Sequence, residues 1–148
     1  MNKQIALVTG ATRGIGRAIA EKLAEDGFFV LGTATSESGA TTISGYLGEN
    51  GQGLMLDVAN PQSIENAMKQ ITDEFGTPHV LVNNAGITRD NLLMRMKDEE
   101  WDDIISTNLT SVFRMSKAVL RGMMKAKTGR IINISSVVGS TGNAGHPG

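Results

Sequence analysis

Thr9-Gly10-Ala11-Thr12-Arg13-Gly14-Ile15-Gly16 stands between a short apolar run, Ile5 to Val8, and a stretch from Arg17 to Asp26. In that stretch Ala18, Ile19, Ala20, Leu23 and Ala24 recur at helical spacing, so the order is strand, glycine-rich turn, helix. The turn spells G-x-x-x-G-x-G. A glycine at position 10 permits a sharp exit from the strand, one at 14 lets backbone come close to a ligand, and one at 16 lets the helix pack tightly on the strand. A tight turn without a ligand uses glycine in the same way, so the loop takes its meaning from its surroundings.

Outward from the loop the same alternation repeats. Gly27 is placed to end the first helix, and Phe28 to Thr33 is a second apolar run rich in strand formers, which completes a βαβ unit. The pattern then predicts a helix from about Ser38 to Leu47, a strand from about Gly53 to Leu56, and a helix that opens on Pro61 and ends near Phe75-Gly76. His79 to Val82 reads as a fourth strand, Asp98 to about Lys125 as a long helix, and Arg130 to Ile134 as a fifth strand. Strands this short and this continuously apolar are expected to be buried on both faces, as in a parallel sheet covered by helices. The expected fold class is therefore α/β, a doubly wound parallel sheet of strand order 3-2-1-4-5, with a ligand crevice at the carboxyl ends of strands 1 and 4.

Composition narrows the function. The 148 residues suffice for one domain with one sizeable core. Hydrophobic residues at 40% and charged residues at 20% suggest neither disorder nor a membrane span. A formal net charge of -1 supplies no electrostatic reason to bind nucleic acid. There is no cysteine, hence no disulfide framework and no thiolate metal site, and His79 and His146 lack ligand-spaced acidic partners, so no metal is expected. Met1-Asn2-Lys3-Gln4 runs into the first strand without an apolar signal segment, so a cytoplasmic protein is expected.

In this setting the loop is a candidate cradle for a dinucleotide pyrophosphate, which helix-start N–H groups favour; Gly10, Ala11, Thr12, Arg13, Gly14, Ile15 and Gly16 are its residues. An NAD site usually places an acid at the end of strand 2 to bind the ribose 2'-hydroxyl, but here that strand runs into Gly32-Thr33-Ala34-Thr35-Ser36. Arg13, with the hydroxyls of Thr35 and Ser36, suits a 2'-phosphate instead, so NADP (NADPH) is the expected cofactor.

The loop, Asp57-Val58 after strand 3, Asn83-Asn84-Ala85-Gly86 after strand 4, Asn108 in the long helix and Ser135-Ser136 after strand 5 together resemble the short-chain dehydrogenase/reductase family in order and spacing. The run Gly86-Ile87-Thr88-Arg89-Asp90-Asn91-Leu92-Leu93-Met94-Arg95-Met96 is similar, within that family, to the bacterial 3-oxoacyl-acyl-carrier-protein reductases of fatty-acid synthesis. The resemblance runs from residue 4 to about residue 145. It implies a Rossmann-type domain over 1–148 and a homo-oligomer. It also implies that Asp57 accepts a bond from the adenine amino group with Val58 alongside, and that Asn84, Ala85 and Gly86 line the nicotinamide ribose. Asn108 would hold a water in a proton relay, and Ser136 would orient the substrate carbonyl. Acyl carrier protein is the implied partner, with Lys127 and Arg130 as candidate contacts, although charge on an exposed helix is ordinary.

The chain departs from the family at its end. The family's Tyr-x-x-x-Lys would begin at the first position after Gly148, and Tyr46, the one tyrosine, falls in the predicted second helix and is not expected to substitute. The tail His146-Pro147-Gly148 also differs, as a truncation or frameshift would. The intact form is expected to reduce 3-oxoacyl to 3-hydroxyacyl groups, and this 148-residue chain to be inactive. A non-catalytic dinucleotide-binding module and a reductase of another ketone are the alternatives.

Overall fold

The computed structural model describes residues 3–84 and 98–134, with backbone alone over 98–109. Within them β1 (Ile5–Val8), α1 (Gly14–Glu25), β2 (Phe29–Ala34) and α2 (Glu37–Leu47) lead through a 3-10 turn (Gly48–Asn50) to β3 (Gly51–Met55). Then come α3 (Pro61–Glu74), β4 (Val80–Asn83), α4 (Asp98–Ala126) and β5 (Arg130–Asn133). All strand pairs are parallel and the order is β3-β2-β1-β4-β5, as expected. The chain steps outward on one side of β1 and then crosses to begin again at β4. The crevice expected of such a sheet therefore lies where β1 and β4 end side by side.

The strand period of two sorts the core into two layers. Ile5 and Leu7 of β1, Leu31 of β2 and Leu81 of β4 pack with Ile64 and Ile71 of α3 and with Met115, Val119 and Met123 of α4. Ala6, Val8, Val30, Val80 and Val82 point the other way, onto Ala20 of α1 and Ile43 and Leu47 of α2. The helices start where their caps say they should. Ser36 Oγ accepts the Gly39 N–H at 3.0 Å, and Asn60 Oδ1 accepts the N–H groups of Gln62 and Ser63 at 2.9 and 3.3 Å, with Pro61 in the first turn of α3.

The structure corrects several expectations. β1 and β4 are buried throughout, but β5 is largely exposed, with Ile132 at 43%, because among the described residues it pairs only with β4. α1 begins at Gly14 and not at Arg17; two glycines of poor helix propensity conceal its first turn. β4 continues through Asn83, whose side-chain amide donates to Asn133 Oδ1 at 2.8 Å, so Asn83 is a buried strand residue and not part of the turn. β3 begins at Gly51, earlier than strand propensity suggests, because glycine is needed there where a Cβ would overlap the Val30 carbonyl. A Cβ on Gly53 would overlap the carbonyl of Ala40, so α2 rests directly on the β3 backbone.

Gly45 lies in the same helix with open space around it. Gly45→Ala is expected to raise stability by about 0.5–1 kcal/mol, while Gly53→Ala lowers it by about 1–3 kcal/mol. Urea midpoints of the two variants, measured side by side, check both signs.

Candidate functional site

β1 runs out at Thr9, whose N–H donates to Val82 O at 3.1 Å, while the N–H of Asn84 donates to Thr9 Oγ1 at 2.9 Å. The exits of β1 and β4 are thereby tied together. Gly10 then turns with φ +63°. Its N–H donates to Thr33 Oγ1 at 3.4 Å and its carbonyl accepts Asn84 Nδ2 at 3.0 Å. Ala11, fully buried, donates its N–H to Thr33 O at 2.9 Å and accepts the Tyr46 hydroxyl at its carbonyl. Every backbone polar group of residues 10 and 11 is satisfied inside the protein.

From Thr12 onward the character changes. Thr12 is half-buried, and Arg13, Gly14 and Ile15 are exposed, the Ile15 side chain at 59%. Arg13 occupies the N-cap of α1 with extended backbone, makes no side-chain cap, and no acid enters the first turn. α2 and α3 are capped by Ser36 and Asn60, so α1 alone of these three presents its first N–H groups uncapped. Uncapped N–H groups and the helix dipole together favour an anion. A Cβ added at Gly14 would meet nothing within 4 Å, so the approach is open, whereas one at Gly16 would overlap Gly10 O and lie 2.5 Å from Asn84 Nδ2.

Beside the loop, Thr35 and Ser36 are exposed between β2 and α2. Ser36 Oγ spends a lone pair on Gly39 N–H and keeps its proton to donate. A Cβ on Gly39 would lie 3.0 Å from Thr12 Oγ1 and 3.2 Å from Ser36 Oγ, so loop and helix start bring two hydroxyls to one place. Arg13 pairs with no described carboxylate; the described ion pairs are Arg17 with Glu21 at 3.6 Å and Lys22 with Asp26 at 3.4 Å. Asp57, exposed beyond β3, accepts Ala59 N–H on Oδ1 at 3.0 Å. Val58 is buried with Leu56 and Ile64, so its side chain belongs to the core and only its backbone remains for a ligand.

Ala85, Gly86 and Ser136 lie outside the described residues, as does the side chain of Asn108. α4 passes through Asn108 as continuous helix. Lys127 and Arg130 are exposed, Lys127 with φ +58° just past the end of α4. They flank the amino end of β5, roughly 10 Å of strand from its carboxyl end, so the structure does not bring them to the loop. A groove of about 390 Å³ lined by Leu23, Phe28, His79, Val80, Arg130 and Ile132 opens at that same far end, away from the crevice.

Sequence reasoning assigned Tyr46 no part in the site. Besides its bond to Ala11 O, its ring lies under the Arg17 guanidinium, 4.4 Å from carbon to centroid. The available signal was the helical spacing of Ile43, Tyr46 and Leu47, which puts Tyr46 at the margin of the buried face of α2. Burial pushes the Tyr46 phenol up to about 12; Arg17 pulls against that shift and Glu21 adds to it.

With this geometry in hand, comparison with known proteins is specific. A family model described as short chain dehydrogenase matches residues 4–148. The chain is 72% identical over 142 residues to the 3-oxoacyl-acyl-carrier-protein reductase of Vibrio cholerae, covering 96% of this chain and 58% of that protein. The reductase of the same name from Escherichia coli K12 is 70% identical over 142 residues, with the same shares covered. That of Pseudomonas aeruginosa is 59% identical over 145 residues, covering 96% of this chain and 59% of its own length. The chain thus spans a little under three fifths of the length of these relatives.

Tyr46 is the one tyrosine, so phenolate absorbance titrates a single group. Its folded value of about 12 lies above the ordinary 10.0, so the unfolded chain loses the proton first as pH rises. The stability it contributes is full below pH 10 and is lost progressively between pH 10 and 12. Absorbance titration is expected to show a late phenolate transition that moves to the ordinary value in urea. The urea midpoint should fall more steeply over that window in the unsubstituted chain than in Tyr46→Phe.

Proposed function

Because the chain belongs to the short-chain dehydrogenase family, we propose that these residues hold NADPH for reduction of a 3-oxoacyl thioester on acyl carrier protein to the 3-hydroxyacyl form. The observation that carries this reading is the uncapped start of α1 behind Gly10–Gly16, set where β1 and β4 end together, in a chain so similar to reductases of that name. The open space beside Gly14 and the uncapped N–H groups fit a pyrophosphate. Bound there, the cofactor supplies the hydride.

The chain's own residues supply position and charge. Arg13, with the hydroxyls of Thr35 and Ser36, receives the 2'-phosphate; the acid nearest β2, Glu37, begins α2, where the helix dipole favours it. Asp57 offers Oδ2 to the adenine amino group, with the Val58 backbone alongside, and Asn84, Ala85 and Gly86 line the nicotinamide ribose. Ser136 orients the substrate carbonyl and Asn108 holds a water of the proton relay. A carrier protein docking at Lys127 and Arg130 would deliver its acyl group along the length of β5, and the assembled enzyme would be a homo-oligomer in the cytoplasm. The proton donor and its lysine, the family's Tyr-x-x-x-Lys, are not among these 148 residues. A second reading is that the 148-residue chain by itself binds the dinucleotide without turnover.

Titration calorimetry with NADPH and NADH tests the cofactor. NADPH is expected to bind tighter, and Arg13→Ala to weaken NADPH about tenfold or more with little effect on NADH; tighter binding of NADH would overturn the assignment. Following NADPH absorbance with an acetoacetyl thioester tests the rest. The 148-residue chain should turn over at least about 10²–10⁴-fold more slowly than a version extended by the Tyr-x-x-x-Lys helix and the strands beyond it. Equal rates from both would remove the tyrosine from the mechanism, and activity of the extended form only on other ketones would remove the carrier-bound substrate.

A further inference from the structure

The planar peptide between Ala11 and Thr12 carries an acceptor at one edge and a donor at the other. Its carbonyl is held by the Tyr46 hydroxyl. In a trans peptide the N–H points opposite to the C=O, so whatever fixes the Ala11 carbonyl also aims the Thr12 N–H. That N–H is the first of the loop with no acceptor among the described residues, whereas the N–H groups of Gly10 and Ala11 are bonded inward to Thr33. On the other flank the Tyr46 ring lies under the guanidinium of Arg17, in the first turn of α1. One side chain of α2 therefore grips both ends of the segment Thr12–Gly16, the carbonyl before it and the cation after it.

We propose that Tyr46 is a positioning residue for dinucleotide binding: through the Ala11 carbonyl and Arg17 it sets the direction of the backbone N–H groups that receive the pyrophosphate. The proposal rests on the dinucleotide reading of the loop. Tyr46 itself touches no ligand. Its phenol, neutral well past physiological pH, keeps the proton that the bond to Ala11 requires. Tyr46→Phe deletes that bond and keeps the ring beneath Arg17; Tyr46→Ala deletes both.

Three ligands and one ligand-free measurement separate positioning from plain support. In Tyr46→Phe, NADPH and NADP are expected to bind about two- to tenfold more weakly, the effect of one lost hydrogen bond. Adenosine 2'-monophosphate, which has no pyrophosphate and meets this segment only through the Arg13 side chain, should lose clearly less affinity than NADPH does. Amide exchange is expected to quicken at Ala11 and through residues 9–17 while the amides of β3 and α3 keep their rates, and Tyr46→Ala should exceed Tyr46→Phe in both respects. Unchanged NADPH affinity in Tyr46→Phe overturns the proposal, as does an equal loss for adenosine 2'-monophosphate that tracks a lower melting temperature. If the unsubstituted chain binds neither dinucleotide, the proposed function falls. Exchange at residues 9–17 then decides whether Tyr46 orders the loop, unchanged rates counting against it.

Discussion

The crevice end of the sheet depends on one close approach, that of Gly16 to the carbonyl of Gly10, with the amide of Asn84 beside them. Any side-chain carbon at position 16 would occupy the space in which that carbonyl accepts its bond. The first turn of α1 could then not come down onto the end of β1. Asn84 reaches this point because β4 lies next to β1 in register, Val82 beside Val8. A contact among residues 10, 16 and 84 is therefore both a packing constraint on the helix and a record of the strand order.

That approach divides the loop into two parts with different chemistry. Residues 10 and 11 turn every backbone donor and acceptor inward, onto Thr33, Asn84 and Tyr46, and Thr9 ties its N–H and hydroxyl to Val82 and Asn84, because a buried polar group left unpaired costs about 1–3 kcal/mol. Residues 12 to 15 turn outward, with exposed side chains at 13 and 15 and an uncapped helix start. The second part can remain unsatisfied because the first is saturated: the inward bonds hold the turn without help from the groups that face the crevice. A fully capped α1 would be a better helix and a poorer anion site.

How much of this was legible in the sequence follows from the range of each signal. The strand order was legible because short apolar runs alternating with helical periodicity permit few right-handed arrangements, and β1 to β5 fall where those runs stand. Boundaries at Gly14 and Gly51 were not, since glycine speaks against helix and strand locally, while Gly14 answers to a backbone φ of +63° and Gly51 to the close approach of the Val30 carbonyl. The even burial expected of every strand failed at β3 and β5, the two ends of the described sheet, because burial depends on neighbours on both sides and apolar character reports only what a strand tolerates. Gly10 to Gly16, Thr35 and Ser36 could be singled out in the sequence as a candidate site because backbone approach and hydroxyl donation each demand particular residue types at a fixed spacing.

Thr9, Thr33 and Tyr46 were not legible for the opposite reason. Each acts by hydrogen bonding of its hydroxyl to main chain, and a main-chain group accepts help from any hydroxyl that reaches it, whatever its place in the sequence. Thr33 and Tyr46 sit 23 and 35 residues from the groups they hold, on a different strand and helix. Residues that face a ligand are constrained by the ligand's shape and so leave a pattern. Residues that aim those groups are constrained only by the fold, and they become visible once the fold shows which carbonyl would otherwise be left without a donor.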